Sequence, residues 1–142
     1  MERLGKLLHI GIAVEDLSAA GRLYGEVFGF EVKPEKELGD RGLRVLMVDT
    51  GNTVIELLAG TRPDSAISRF IEKRGPGIHH LCFAVDDIEA ALMELSGKGM
   101  RLIDEEPRTG ADGHPVAFLH PASTDKVLIE LEQRPSVDAD GR

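Results

Sequence analysis

Two stretches of the chain carry nearly the same hydrophobic and polar pattern. In "LHIGIAVEDLSAAG" and in "HLCFAVDDIEAAL", a histidine enters an apolar run, an aspartate closes it, and helical spacing follows. In the first copy, residues 9–14 predict a strand, Asp16 a helix N-cap, and residues 17–27 a helix closed by Gly29. Residues 29–36, 43–49 and 53–59 then alternate or run apolar as strands do, with "TGN" as the turn before the last. In the second copy the strand is 80–85, the helix 88–98, and the later strands 100–104, 115–120 and 127–132. Between the copies, Asp64 or Ser65 can cap a linker helix at about 64–74, stopped by Gly75-Pro76-Gly77.

The two patterns align residue by residue. His9 falls on His80 at an offset of 71 residues, and the same offset places Asp16 on Asp87 and Leu17 on Ile88. Further on, "TVIELL" pairs with "VLIELE", placing Glu56 on Glu130 at an offset of 74, a drift that loop insertions produce. Matches in one order point to two copies of a single unit. Each copy reads as strand, helix, then three strands. The fold class expected is therefore α+β, with two paired βαβββ modules at about 7–60 and 78–133. They belong to one domain over 1–135, and a polar tail at 136–142 is expected to be disordered.

Composition narrows the function. The chain has 142 residues, 42% apolar and 30% charged, ordinary for a soluble globular protein. No apolar run approaches a membrane span, so no membrane partner is expected. A net charge of −8 argues against general nucleic-acid binding. With Cys82 the only cysteine, an internal disulfide and a CxxC zinc site are excluded, and a reducing cytoplasm is the default.

The repeat also singles out four side chains. A lone strand histidine is more often a core or surface residue than a ligand. Here both histidine and glutamate are duplicated, and a glutamate among apolar neighbours is costly to bury unless paired or metal-bound. If the copies pack about a pseudo-twofold axis, His9, Glu56, His80 and Glu130 converge on one cavity. Two imidazoles and two carboxylates suit Zn, Ni, Co, Fe or Mn better than Ca. His79 has Leu8 as its counterpart and, by strand alternation, faces away from His80. His114 and His120 lack partners in the repeat, and only His120 is retained as a candidate substrate contact. Cys82 reads as core.

These residues resemble the vicinal oxygen chelate, or glyoxalase, superfamily, and more closely its methylmalonyl-CoA epimerases. The resemblance covers nearly the whole chain. Its most specific pieces are "DSAISRFIEKRGPGIHHLCFAVDDIEAA", "RLIDEEPRTGADGHPVAFLHP" and "VLIELEQ". It implies a curved mixed sheet around a metal cavity, with a divalent metal held by His9, Glu56, His80 and Glu130. The reaction it implies interconverts (2R)- and (2S)-methylmalonyl-CoA by removing and returning the C2 proton through a metal-stabilised enolate. It further implies a homodimer, and Glu130 as the first proton-transferring residue. Several similar epimerases carry a Glu where Val45 stands, and valine cannot move a proton. The second proton carrier is then Glu56, a bound water or a residue the sequence does not place. Coenzyme A needs a local cationic patch on this acidic chain, for which Lys73, Arg74, Arg108 and Lys126 are candidates. The same ligand set also suits a glyoxalase I, and the fold also suits a non-catalytic small-molecule binder.

Overall fold

The computed structural model describes residues 3–135, so the polar tail expected at 136–142 lies outside the described residues. The chain forms two compact units. One is His9–His79, and the other joins the described residues through Leu8 to those from His80 to residue 135.

The first unit is built on β1 (Leu7–Ala13), α1 (Leu17–Arg22), β2 (Glu31–Val32), β3 (Lys36–Leu38), β4 (Leu43–Asp49), β5 (Val54–Gly60) and α2 (Ala66–Arg74). β1 pairs parallel with β5, β5 antiparallel with β4, and β4 antiparallel with both β2 and β3. Asp16 caps α1 as expected, its Oδ1 accepting the Ala19 N–H at 3.0 Å. The expected helix over 17–27 divides, because after Arg22 the chain widens into a π-helical turn at Leu23–Val27. Gly29, at φ +82°, then takes the left-handed backbone that ends it. The strand expected over 29–36 breaks into β2 and β3 around Pro34, which has no N–H to donate to a ladder. Of the two candidate caps for the linker helix, Ser65 is the one used, its hydroxyl accepting the Ser68 N–H at 3.1 Å.

The second unit repeats the plan with β6 (Gly77–Val85), α3 (Ile88–Gly97), β7 (Arg108–Thr109), β8 (Pro115–Leu119) and β9 (Ile129–Gln133). β6 pairs parallel with β9, β9 antiparallel with β8, and β8 antiparallel with β7. Asp87 caps α3 through the Ala90 N–H at 3.1 Å, as Asp16 does for α1. The strand expected at 100–104 is reduced to a single bridge between Leu102 and Leu119. β9 starts two residues later than expected, after a turn in which Asp125 and Lys126 both adopt positive φ. The unit also takes in the start of the chain. The Gly5 N–H donates to Ala84 O at 2.8 Å, and the Ala84 N–H donates to Lys6 O at 3.0 Å.

Strand alternation sorts each sheet into two faces. In the first unit, Leu46, Val48 and Leu57 pack against Leu17 of α1, while Ala13, Val45 and Leu58 pack on the other side against Ile67 of α2. In the second, Ala117, Leu119 and Leu131 pack against Ile88, Ala91 and Leu92 of α3. Among the described residues, no helix is long and apolar enough to cross a membrane.

Candidate metal centre

Each unit brings one histidine and one glutamate together on the sheet face turned away from α1 or α3. In the first, Gly11 stands opposite Glu56 in the parallel β1–β5 pair. His9 is two residues before Gly11, so it shares the face, and its Nε2 lies 3.6 Å from Glu56 Oε1. In the second, Cys82 stands opposite Glu130 in the β6–β9 pair. His80 is two residues before Cys82, and its Nε2 lies 3.1 Å from Glu130 Oε1. The register is the same in both units.

All four side chains are buried: His9, Glu56 and Glu130 are each 7% exposed and His80 3%. Four buried ionisable groups of this kind are costly unless paired or metal-bound. The 3.6 Å gap in the first pair is too long for a hydrogen bond. Two donors bound about 2.1 Å from one ion stand roughly 3–3.5 Å apart, and both pairs come close to that spacing. Imidazole nitrogen with carboxylate oxygen is also the donor chemistry of a first-row divalent cation. The residues present therefore fit such an ion.

Around His80 the second unit adds more. The Phe118 ring, opposite Glu130 on β8, meets the His80 ring edge-on with centroids 5.6 Å apart. The Arg108 guanidinium lies over the Phe118 ring, 6.0 Å from its centroid, and its Nε is 3.6 Å from Asp104 Oδ1. Asp104 in turn accepts the Phe118 N–H at 2.8 Å. Phe118 thus contacts both His80 and Arg108.

The other sequence candidates sit as follows. His120 follows β8 and caps the short turn Pro121–Ser123, its Nδ1 accepting the Ala122 N–H at 3.0 Å, which leaves Nε2 as the nitrogen for other contacts. Lys73 and Arg74 are exposed in the last turn of α2, and Arg74 lies 5.7 Å from the centroid of Phe70. Lys126 is exposed in the positive-φ turn before β9. His79 meets the Phe70 ring edge-on, with centroids 5.0 Å apart. Cys82 is fully buried. Val45 is 1% exposed in the apolar cluster with Ala13, Leu58 and Ile67.

Sequence reasoning missed Glu132, Asp104, Asp112 and Arg134. Glu132 is 3% exposed and shares a face with Glu130, since the two are separated by one pleat. Period-2 alternation could have found it. The repeat hid it, because its counterpart in the first copy is Leu58.

Residues 8–118 match the family profile of the glyoxalase/bleomycin resistance protein/dioxygenase superfamily. The chain is 44% identical over 131 residues to the mitochondrial methylmalonyl-CoA epimerase of Homo sapiens, covering 92% of this chain and 74% of that protein. It is 43% identical over 132 residues to the ethylmalonyl-CoA/methylmalonyl-CoA epimerase of Cereibacter sphaeroides, covering 92% and 98%. A solved methylmalonyl-CoA epimerase in complex with methylmalonyl-CoA and NH4+ superimposes with a TM-score of 0.86 at 36% identity, over 95% of this chain and 98% of that one.

Proposed function

Because the chain belongs to the glyoxalase/bleomycin resistance protein/dioxygenase superfamily, among its methylmalonyl-CoA epimerases, we propose that it interconverts (2R)- and (2S)-methylmalonyl-CoA. The observation that carries this reading is the His/Glu pair repeated in identical register in two modules. In this reading the modules act as one domain and both pairs serve one divalent ion, Co, Mn, Ni, Zn or Fe by donor chemistry. The methylmalonyl-CoA held by a solved relative supports an acyl-CoA as substrate. A homodimer in a reducing cytoplasm completes the proposal.

The C2 proton lies between a thioester and a carboxylate, and the carboxylate's charge opposes a second negative charge beside it. A divalent cation held by His9, Glu56, His80 and Glu130 would supply Lewis acidity that offsets this charge. The protein's own groups do the rest. Glu130 takes the proton from C2 on one face of the substrate. Val45 cannot carry a proton, so the return on the other face falls to Glu56, protonated beforehand, or to a bound water. The enolate is planar at C2, so the face of return sets the product's configuration. The walls of the two pairs, at 7% exposure or less, keep bulk water from quenching the carbanion. Arg108, with Lys73, Arg74, Lys126 and His120, meets the coenzyme A portion, whose phosphates need cationic partners.

Proton exchange in deuterated water tests this. Incubated with methylmalonyl-CoA and a divalent metal, the protein should place solvent deuterium at C2. Glu130→Gln should slow that exchange by roughly 10²–10⁴-fold, the usual contribution of a general base. Exchange at the parent rate would remove Glu130 from the role. No exchange by the parent with any of the five metals would reject the reaction.

A further inference from the structure

Arg134, just past the end of β9, joins two carboxylates that are far apart in sequence. Its Nε donates to Glu132 Oε2 at 2.6 Å, and its Nη2 donates to Asp112 Oδ2 at 2.6 Å. Its backbone N–H donates to Val85 O at 2.8 Å, so the residue is anchored at both ends. Glu132 is buried on β9 opposite Val116 of β8. Asp112 lies at the tip between β7 and β8. There the Gly110 N–H donates to His114 O at 2.8 Å and the Gly113 N–H to Gly110 O at 3.1 Å. One guanidinium therefore fastens the tip of this hairpin to the strand that carries Glu130.

Along its own strands the hairpin is short, and at its base Arg108 Nε lies 3.6 Å from Asp104 Oδ1. β7 is two residues long, Arg108–Thr109, with two register pairs to β8. Arg108 is one of those two residues, and its guanidinium lies over Phe118, the ring that also meets His80. β9, by contrast, is hydrogen-bonded on both sides, to β6 and to β8. Loosening the tip should therefore move Arg108 and leave Glu130 where it is.

We propose that Arg134 is a positioning residue that, by bridging Glu132 and Asp112, holds the β7–β8 hairpin where Arg108 meets the acyl-CoA, and so sets substrate affinity and not the proton transfer. This rests on the acyl-CoA reading above. Burial works against the Arg134 charge, but the hydrogen bond and charge of Glu132, followed by those of Asp112, raise its pKa above the ordinary arginine value. The guanidinium is suited to the task because two of its nitrogens point in fixed directions. A lysine ammonium is a single point on a flexible stem.

The test compares metal-loaded parent, Asp112→Asn, Arg134→Gln and Arg134→Lys by steady-state kinetics, melting temperature and amide hydrogen exchange. Asp112→Asn and Arg134→Gln should raise KM about 10-fold, as loss of a charged hydrogen bond implies, with kcat within about 2-fold of the parent. The Gly110 and Gly113 amides should exchange at least about 10-fold faster in both. Arg134→Lys should recover melting temperature in part and leave KM raised, since one ammonium cannot hold both carboxylates. If Arg134→Gln does not fold, Asp112→Asn decides, because Asp112 is exposed and its change leaves the Arg134–Glu132 pair intact. Parent-like KM and exchange in Asp112→Asn, or a fall in kcat with KM unchanged, would overturn the proposal. A parent inactive on methylmalonyl-CoA overturns the functional reading instead, and that is seen before any variant is compared.

Discussion

His80 and Glu130 meet at 3.1 Å because one pleat of β6 separates His80 from Cys82, the residue directly across from Glu130. His9 and Glu56 meet through Gly11 by the same rule. Parallel pairing fixes this geometry: a slip of one residue would turn the glutamate to the opposite face and into the helix-side core. The register of two short strand pairs is therefore the first determinant of the chemistry.

Removing either histidine should act first on metal binding. His9→Ala and His80→Ala should each weaken divalent-metal affinity by at least about 100-fold, since even outer-shell partners of ligands cost 10–100-fold. Calorimetric titration with cobalt or zinc measures this directly. One strong site in the parent and unchanged affinity in either variant would argue against a shared ion.

Metal should also stabilise the fold. An ion present at about 100 times its dissociation constant adds roughly 2.7 kcal/mol to the folded state. For a chain of this size that corresponds to a fall of about 5–10 °C in Tm on chelation. Differential scanning calorimetry with and without a chelator, on parent and on Glu56→Gln, gives the comparison. The variant should show much the smaller shift.

Leu57 and Leu131 follow the two glutamates in the repeat, and both are fully buried. Each is the first side chain behind its carboxylate on the helix side of the sheet. Leu57→Ala and Leu131→Ala should each cost about 2–5 kcal/mol in urea unfolding, the range for a large-to-small change that leaves a cavity. The two losses should be similar, because the two positions do the same job.

The helix caps form another matched pair. Asp16→Ala and Asp87→Ala each remove one carboxylate that accepts a backbone N–H at the start of α1 or α3. About 1 kcal/mol should be lost in each case, with kcat unchanged. Urea midpoints read the first effect and steady-state kinetics the second.

Much of this was legible in the sequence, and for a simple reason. Periodicity of two and of 3.6, the capping aspartate Asp16 and a duplicated pattern are local, and they marked β4, α3, the α1 cap and the duplicated histidine and glutamate. The losses came where local pattern yields to something else. Pro34 interrupts an otherwise strand-like run. Asp125 and Lys126 enter positive φ, which their residue types do not advertise, and so shorten β9. Glu132 went unnoticed because the repeat pairs it with Leu58. The Arg134–Asp112 contact spans 22 residues and depends on where a hairpin tip lands, which no short window reports.

The hydrogen bonds that tie Gly5 and Lys6 to Ala84 have a consequence for how the protein comes into being. The second module is not a contiguous stretch of polypeptide. A chain cut near residue 76 would hand the second module over without its outermost backbone partners. A methyl group added at Gly5 would already sit 2.8 Å from the Ala84 carbonyl oxygen. Gly5 and Lys6 can dock only after Ala84, about eighty residues further along, has been made, so this seam is a long-range contact that closes late.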